Sequence, residues 1–376
     1  MSALFNTYAR RPIELVEGQG TIVKDQNGKE YLDFTSGIAV LSLGHAHPEL
    51  IKALHDQSKK VWHTSYLFQI SGQEKLAESL IKDNHFSYAF FCNSGAEANE
   101  AAIKLARKHT GKHHIITFQQ SFHGRTFGGM SATGQDKIQK GFGPLVEKFT
   151  YLPFNDVDAL KAAVDNSVAA IMLEVIQGEG GVNVITDEFA KAIQDICSNS
   201  DILLIIDEVQ TGIGRTGTRF AYEQTPLKPN IVTMAKGLGG GFPIGGILGT
   251  AELHDTFGPG SHGTTFGGNP LGVAVSQKVI EIIFQDEFLQ EVQKKSAYFV
   301  EKLEAAFPEE QYKVKGKGLL LGLEIDNEVA PFIGKLEEAG LLVCGAGPKV
   351  IRLLPPLTVS YEEIDKAVEI LKNTIK

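Results

Sequence analysis

Apolar runs of four or five residues recur through the middle of the chain and alternate with amphipathic stretches. Runs of this length, rich in β-branched and aromatic residues, are typical of buried strands. Helical patterns lie between several of them, for example at 96–108 and 187–197. This alternation predicts an α/β fold built on a mainly parallel sheet. The predicted strands are 88–92, 115–118, 169–173, 202–206, 231–234 and 246–249.

Beyond Asn269-Pro270 the pattern changes to a long helical stretch, from Leu271 to Phe307, with a break expected near 284–288. Two short apolar strands, 319–325 and 350–354, then alternate with helices, the last of which covers 361–375. Short strands alternating with long helices predict a smaller α+β domain at the end of the chain.

The first 45 residues contain two turn signals, Gly18-Gln19-Gly20 and Asp25-Gln26-Asn27-Gly28, which predict hairpins. A chain of 376 residues is long enough for about two domains of roughly 150 residues each. We therefore predict three parts: an N-terminal segment, 1–45, which packs with the small domain; a large domain, 46–280; and a small C-terminal domain, 281–376.

Two charged residues follow buried strands and indicate the chemistry. Asp207 comes directly after Ile202-Leu203-Leu204-Ile205-Ile206, and Lys236 follows the run 231–234 and precedes a glycine-rich stretch. Pyridoxal phosphate needs a lysine to hold its aldehyde and an acid to keep its pyridine nitrogen protonated. Each residue also has a simpler interpretation: Asp207 could be a helix N-cap or a salt-bridge partner, and Lys236 could be a solvated loop lysine.

Two loops could bind the phosphate of such a cofactor. Asn93-Ser94-Gly95-Ala96 follows a predicted strand and begins a helix, where backbone N–H groups and the helix dipole favour an anion. The stretch 263–270 places two threonine hydroxyls among glycines before another helix. An ordinary capped helix start explains either loop equally well on its own.

The segment Ser121-Phe122-His123-Gly124-Arg125 offers groups for a ring and for a carboxylate. Phe122 could stack on a planar cofactor, and Arg125 could form the bidentate pair that a substrate carboxylate accepts. Taken singly, Phe122 fits a core residue and Arg125 fits a surface residue.

Gly212-Ile213-Gly214-Arg215-Thr216-Gly217 matches the GxGxxG pattern of dinucleotide-binding proteins, which leaves an NAD-dependent dehydrogenase as an alternative of a different class. A dinucleotide site needs the first glycine directly after a strand and an acid about 20 residues further on. Five residues intervene here, and 224–251 contains no Asp or Glu. We therefore interpret this stretch as a loop.

Composition excludes several classes of protein and of binding site. The net charge of −9 argues against general nucleic-acid binding. The three cysteines, Cys92, Cys197 and Cys344, support neither a disulfide framework nor a CxxC metal site, and a reducing cytosol is expected. The histidines lack metal-site spacing, so no metal is expected. The start lacks a secretory signal pattern, and no apolar stretch is long enough for a membrane span.

Together these segments resemble the class III pyridoxal-phosphate aminotransferases of fold type I, of the ornithine/acetylornithine type. The resemblance runs almost from end to end and also includes Gly44-His45-Ala46-His47-Pro48 and Ile351-Arg352-Leu353-Leu354-Pro355-Pro356. It implies transfer of the δ-amino group of N2-acetylornithine to 2-oxoglutarate, which yields N-acetylglutamate 5-semialdehyde and glutamate in arginine biosynthesis. Ornithine, N-succinylornithine and 4-aminobutyrate are alternative donors within the family.

The resemblance also implies roles for the residues around the cofactor ring. Lys236 would hold the aldehyde and then move the proton during the reaction, and Asp207 would hold the pyridine nitrogen. Val209 and Phe122 would lie on opposite ring faces. The residues implied in cofactor binding are Gly95, Ala96, Phe122, Asp207, Glu208, Val209, Gln210, Lys236 and Thr265.

Other cofactor atoms have implied partners too. Gln210 would contact the phenolic oxygen, and Gly95 and Ala96 would bind the phosphate. Thr265 would reach the phosphate of the neighbouring subunit, because enzymes of this family are homodimers with shared active sites.

Substrate recognition follows in the same way. Arg125 would bind the α-carboxylate of the acylated donor, with Thr264 nearby. In the glutamate half-reaction Arg125 would hold the distal carboxylate and Arg352 the α-carboxylate. Glu179 would neutralise Arg352 whenever the donor needs no second anion site.

Two positions depart from the family pattern. Leu41 and Tyr66 stand where relatives usually carry Asn. Relatives that act on free ornithine tend to place a tyrosine in the segment 36–43, and its absence here favours an acylated substrate.

Overall fold

The computed structural model describes residues 3–308 and 311–376, so that residues 1, 2, 309 and 310 lie outside it. The strands, in chain order, are β1 Leu15–Gln19, β2 Ile22–Asp25, β3 Glu30–Asp33, β4 Tyr88–Cys92, β5 His114–Phe118, β6 Phe149–Leu152, β7 Val168–Leu173, β8 Ile176–Gln177, β9 Asn183–Val184, β10 Leu203–Asp207, β11 Ile231–Met234, β12 Gly245–Gly249, β13 Tyr312–Lys317, β14 Leu320–Ile325, β15 Leu341–Leu342, β16 Cys344–Ala346 and β17 Val350–Leu353.

The helices begin with a single turn, α1 Ser36–Ala39, whose residues have positive φ angles between 46° and 65° and so form a left-handed turn. The others are α2 Pro48–Ser58, α3 Ser71–Ile81, α4 Gly95–Thr110, α5 Phe127–Ala132, α6 Asp136–Gln139, α7 Val157–Ala163, α8 Asp187–Ser198, α9 Pro270–Ile283, α10 Asp286–Ala306, α11 Ala330–Glu338 and α12 Tyr361–Ile375. Short 3-10 segments cover Ala221–Gln224, Lys236–Gly239 and Ala251–Phe257.

The central sheet has seven strands in the order β4-β12-β11-β10-β7-β5-β6. The neighbours from β11 to β6 pair in parallel, whereas β12 is antiparallel to both β11 and β4. The predicted, mainly parallel sheet is therefore confirmed. Because parallel strands end at one edge, the residues that follow β5, β7, β10 and β11 meet there.

The sheet forms because its inner strands are apolar on both faces. Every residue of β7 and β10 is buried, as continuous apolar runs in a covered parallel sheet predict. On one face α4 presents small buried residues, among them Ala98, Ala101 and Ala102, and these let the helix approach the sheet closely. This packing fixes the start of α4 at the same edge as the end of β10.

The C-terminal part has its own sheet, in the order β13-β14-β17-β16, and α10 and α12 pack together beside it. Helix α9 ends at Ile283 and α10 begins at Asp286, so the predicted break is confirmed.

The N-terminal strands pair with this C-terminal part of the chain. Strands β1, β2 and β3 are antiparallel neighbours, and β3 pairs in parallel with β15. In the turn between β2 and β3, Asp25 accepts bonds from the backbone of Asn27 and Lys29, and Gly28 adopts φ +81°. The division into 1–45, 46–280 and 281–376 stays a proposal, which the pairing of β3 with β15 supports.

Candidate active site

A cavity of about 430 Å³ lies at the edge of the central sheet where β5, β7, β10 and β11 end. Clefts at this edge are the usual ligand sites of open α/β sheets. The predicted site residues that line it are Gly95, Ala96, Phe122, Arg125, Glu179, Asp207, Val209, Gln210 and Lys236. Residues far apart in the sequence therefore share one surface.

Asp207, the last residue of β10, is 4% exposed and its carboxylate is held by three donors. Oδ2 accepts from Asn99 Nδ2 and from His123 Nδ1, both at 2.8 Å, and Oδ1 accepts from the Val209 N–H at 3.0 Å. Among the described residues no lysine or arginine forms an ion pair with it. The structure thus fixes an acceptor at the cavity wall, where a ring N–H could bind.

Lys236 follows β11, lies in the cavity wall and has a φ of +44°. Burial lowers the pKa of its ammonium group, and the charge of Arg352 lowers it further, while Glu179 and Asp207 act in the opposite direction. The lowered pKa increases the fraction of neutral amine, the form that attacks an aldehyde.

The start of α4 forms the part of the cavity suited to an anion. Ser94 caps the helix by accepting the Glu97 N–H on its side chain. Gly95 and Ala96, the first helical residues, line the cavity, and amides at this position have no acceptor within the helix. A Cβ at Gly95 would lie 2.7 Å from a methyl carbon of Val209, so a glycine is required for the close approach of the helix to the loop that follows β10.

Phe122 and Arg125 lie in the loop that follows β5. The Arg125 guanidinium lies 5.7 Å from the centre of the Phe122 ring. The Phe122 N–H donates to Glu174 Oε2 at 3.2 Å. Burial and the nearby Asp207 carboxylate raise the pKa of Glu174 well above its usual range.

A second arginine, in the C-terminal sheet, contacts residues of the cavity wall. Arg352 Nη1, in β17, donates to Glu179 Oε1 at 2.6 Å, to Gln210 Oε1 at 2.9 Å and to the Gly178 carbonyl at 2.8 Å. Burial alone would raise the pKa of Glu179, but the charge and hydrogen bond of Arg352 lower it overall. Glu179 is thus ionised and neutralises Arg352.

Four of the predicted residues do not line the cavity. They are Glu208, Thr264, Thr265 and Arg352. The Glu208 carboxylate accepts the Tyr222 N–H at 2.8 Å and the Thr211 hydroxyl at 2.5 Å. Thr264 Oγ1 accepts from Asn93 Nδ2 at 2.9 Å. The structure does not bring the Glu208 carboxylate to the cofactor cavity, because its own loop already binds it.

Sequence reasoning assigned no role to Asn99, His123 or Glu174, which the structure places around Asp207 and Phe122. Two signals could have identified Asn99 and Glu174. Asn99 is a polar residue on the buried alanine face of α4, and Glu174 directly follows a fully apolar strand, as Asp207 does. Buried polar groups of this kind need partners.

Burial of Glu208 predicts a pH-dependent stability. Burial raises the pKa of Glu208 to about 7, although its hydrogen bonds partly oppose the rise. The folded state therefore holds the Glu208 proton more tightly than the unfolded state does. The contribution of this group to the free energy of unfolding is fully present below about pH 4.5 and is lost as the pH rises through 7. The loss amounts to at most about 3 kcal/mol. The Tm of Glu208→Gln, measured by thermal unfolding, should therefore fall less between pH 5 and pH 8 than the Tm of the wild type does. An equal loss in both, with the exposed Glu304→Gln as control, would contradict this.

No helix within residues 3–308 and 311–376 is long and apolar enough to cross a membrane. Over the same residues, no group of three His, Cys, Asp or Glu side chains is arranged to hold a metal ion.

Comparison with known proteins identifies the family. The sequence model of the family Aminotransferase class-III matches residues 5–375. The chain belongs to the class III aminotransferases. It is 56% identical over 377 residues to the acetylornithine aminotransferase of Bacillus subtilis, with 100% of this chain and 98% of that protein covered. It is 54% identical over 376 residues to the one from Bacillus cereus, with coverages of 100% and 97%.

Solved structures of class III aminotransferases agree in fold. The ornithine aminotransferase from Toxoplasma gondii superposes with a TM-score of 0.94 at 32% identity and covers 99% of this chain and 92% of its own. The N-acetylornithine aminotransferase from Stenotrophomonas maltophilia superposes with a TM-score of 0.84 at 37% identity, with coverages of 98% and 96%. The predicted fold type I architecture is confirmed.

Class III aminotransferases use pyridoxal 5′-phosphate, and the cavity fits this group. Asp207 offers an oriented carboxylate for a protonated ring nitrogen. Lys236 offers a buried amine with a lowered pKa, and the start of α4 offers amides for a phosphate. The three groups line one cavity, as the cofactor requires.

The GxGxxG stretch does not form a dinucleotide site. Residues 212–217 are turns, and no α-helix follows them directly. A dinucleotide loop needs a helix N-terminus at this point to bind the pyrophosphate. Together with the family, this rules against the dehydrogenase alternative.

Proposed function

We propose that this class III aminotransferase transfers the δ-amino group of N2-acetylornithine to 2-oxoglutarate, producing N-acetylglutamate 5-semialdehyde and glutamate in arginine biosynthesis. The observation that carries the proposal is the difference between two arginines of the site, one that lines the cavity and one that is buried behind its wall. Arg125 is exposed, whereas Arg352 is buried and paired with Glu179. The site therefore presents one accessible cation, which suits a donor with one carboxylate. Relatives that are 52–56% identical over the whole chain are named acetylornithine aminotransferases.

In the first half-reaction Arg125 binds the donor carboxylate and so places the δ-amine next to Lys236. The donor has a single carboxylate, which Arg125 binds, and it therefore leaves the Glu179–Arg352 pair in place. The acyl group removes the positive charge of the α-amine. Because Arg352 is paired with Glu179, a donor with two carboxylates binds only if its second carboxylate displaces Glu179.

In the second half-reaction 2-oxoglutarate brings two carboxylates. One binds Arg125, and the other displaces Glu179 from Arg352. Because a guanidinium pairs equally well with either carboxylate, one cavity can serve both substrates at a modest cost in free energy.

The bound cofactor supplies a positively charged ring that accepts the electron pair left behind when a proton leaves the substrate carbon. Asp207, held by Asn99 and His123, keeps the ring nitrogen protonated. The amine of Lys236 takes the proton from the substrate carbon and returns it during the next step, as a general base and then a general acid.

Replacing Glu179 by alanine should affect the two half-reactions unequally. Without Glu179 the charge of Arg352 is no longer neutralised when N-acetylornithine binds, and we expect that half-reaction to slow by about tenfold. The glutamate half-reaction, in which Glu179 must move away, should change less. Single-turnover rates for each half-reaction measure this, with the exposed Glu188→Ala as control. Equal slowing of both half-reactions would argue against the switch.

We propose that the enzyme is a homodimer in which each subunit completes the site of its partner. Thr264 and Thr265 lie outside the cavity of their own chain and could contact a neighbouring one. Large exposed apolar side chains offer a surface for association. They include Trp62, Leu67, Phe68, Phe127, Phe142 and Phe266. We also propose a cytoplasmic location, which the three free cysteines support.

A donor panel tests the substrate. The purified holoenzyme is incubated with 2-oxoglutarate and, separately, N-acetylornithine, N-succinylornithine, ornithine or 4-aminobutyrate, and glutamate is measured. The proposal expects the highest kcat/KM for N-acetylornithine. A higher kcat/KM for another donor would reassign the substrate while leaving the aminotransferase in place.

A further inference from the structure

Arg215, in the glycine-rich loop 212–217, is a fully buried arginine without an acidic partner. It is 1% exposed, and no carboxylate of the described residues forms an ion pair with it. Its Nη1 donates to two backbone carbonyls, those of Leu319 at 3.0 Å and Pro355 at 2.6 Å. The Leu319 N–H donates in turn to the Arg215 carbonyl at 2.9 Å. Burying a guanidinium without an acidic partner is unfavourable unless its hydrogen bonds compensate for the lost hydration.

The two carbonyls lie at the same end of the β14–β17 ladder. Strands β14 and β17 are antiparallel, and Leu321 opposite Leu353 is the pair at this end. Leu319 belongs to the two-residue turn that joins β13 to β14, and Pro355 lies two residues after the end of β17.

Pro355 has no N–H, so Leu319 and Pro355 cannot form a reciprocal pair of backbone hydrogen bonds. Arg215 bridges the two residues instead. Its carbonyl accepts the Leu319 N–H, and its guanidinium donates to both carbonyls. The loop thus closes the end of the β14–β17 ladder.

This closure lies beside the residue that recognises the second carboxylate. Arg352 is in β17, three residues before Pro355, and opposite Gly322 in β14. The Arg215 loop follows β10, the strand that ends in Asp207. Arg215 therefore ties the C-terminal strand that carries Arg352 to the part of the chain that carries the cofactor cavity.

We propose that Arg215 is a positioning residue for dicarboxylate recognition, which sets the place of Arg352 relative to Glu179 and Lys236. The inference rests on the proposed function, because it takes Arg352 as the site of the second carboxylate. A substrate that uses Arg352 depends on this closure, and a substrate that uses Arg125 alone does not.

The main test compares Arg215→Met with Arg219→Met. Methionine keeps much of the apolar stem of Arg215 and removes its donors. Arg219 is four residues away and binds the Lys82 carbonyl and Asp83, so it controls for the loss of an arginine from the same segment. Binding of glutarate, a dicarboxylate without an amine, is measured by titrating the absorbance of the holoenzyme, and KM is measured for N-acetylornithine and 2-oxoglutarate.

We expect Arg215→Met to raise the glutarate Kd and the 2-oxoglutarate KM by about tenfold, and the N-acetylornithine KM by less than about threefold. Arg219→Met should leave all three near the wild-type values. Arg215→Lys keeps one donor group with a shorter reach, so its glutarate Kd should lie between those of the wild type and Arg215→Met.

Parallel changes for both substrates would overturn the proposal, because they would show a merely structural role. If Arg215→Met does not fold, as judged by thermal unfolding, the lysine variant decides: glutarate binding that is unchanged, or weakened no more than N-acetylornithine, also overturns it. Failure of the proposed function is distinguishable, since the wild-type enzyme would then not use 2-oxoglutarate or would prefer another donor in the panel.

Discussion

Replacing Lys236 by alanine is expected to abolish transamination while the protein stays folded. Lys236 is a cavity amine with a pKa lowered by burial, and in the proposed mechanism it both holds the cofactor and carries the proton. Losing both roles should reduce kcat by at least about 10⁴-fold. The purified variant should also lack the absorbance that borohydride reduction converts into a stable adduct, and mass spectrometry should find no cofactor on the peptide around residue 236.

The control for this prediction is Lys191→Ala, which removes an exposed lysine from α8. It should retain the wild-type absorbance and rate. Thermal unfolding of Lys236→Ala checks that loss of activity does not follow from loss of the fold. A reducible adduct on another lysine of the variant would show that Lys236 is not the attachment site.

Replacing Asp207 by asparagine is expected to cause the second largest loss. The amide cannot hold a negative charge opposite the ring nitrogen, so the ring withdraws electrons less strongly. It must also present an oxygen to Asn99, His123 and the Val209 N–H with fewer lone pairs than a carboxylate has. We expect both half-reactions to slow by about 10²-fold or more, as measured by single-turnover absorbance changes.

Asp201→Asn is a matched control, because Asp201 is exposed and lies just before β10. It should behave as the wild type does. Unequal effects of Asp207→Asn on the two half-reactions would indicate a role in substrate recognition, and near-normal rates would remove Asp207 from the cofactor site.

Much of the fold could be predicted because long apolar runs determine it. The seven strands of the central sheet include all six apolar runs identified from the pattern, since burial on both faces leaves few alternatives for such segments. The two-residue strands β8 and β15 could not be predicted in this way. They form only because β9 and β3 lie beside them in the folded chain.

The site could be predicted as far as its residues follow strands. Asp207 and Lys236 each come at the end of an apolar run, and the sheet brings such ends together. The partners of Asp207 could not be predicted, since Asn99 and His123 precede it by 108 and 84 residues. The packing of α4 places Asn99 beside Asp207, and the loop after β5 places His123 there. The contact of Gln210 with the cofactor stays a prediction; the structure places its amide between Glu179 and Arg352.

The cofactor site and the proposed second carboxylate site lie on different sheets. Asp207 ends β10 and Lys236 follows the neighbouring strand β11 of the central sheet, whereas Arg352 belongs to the separate C-terminal sheet. In the proposed mechanism, substitutions in the C-terminal sheet would therefore change the recognition of the second acid group while leaving Asp207 and Lys236 in place.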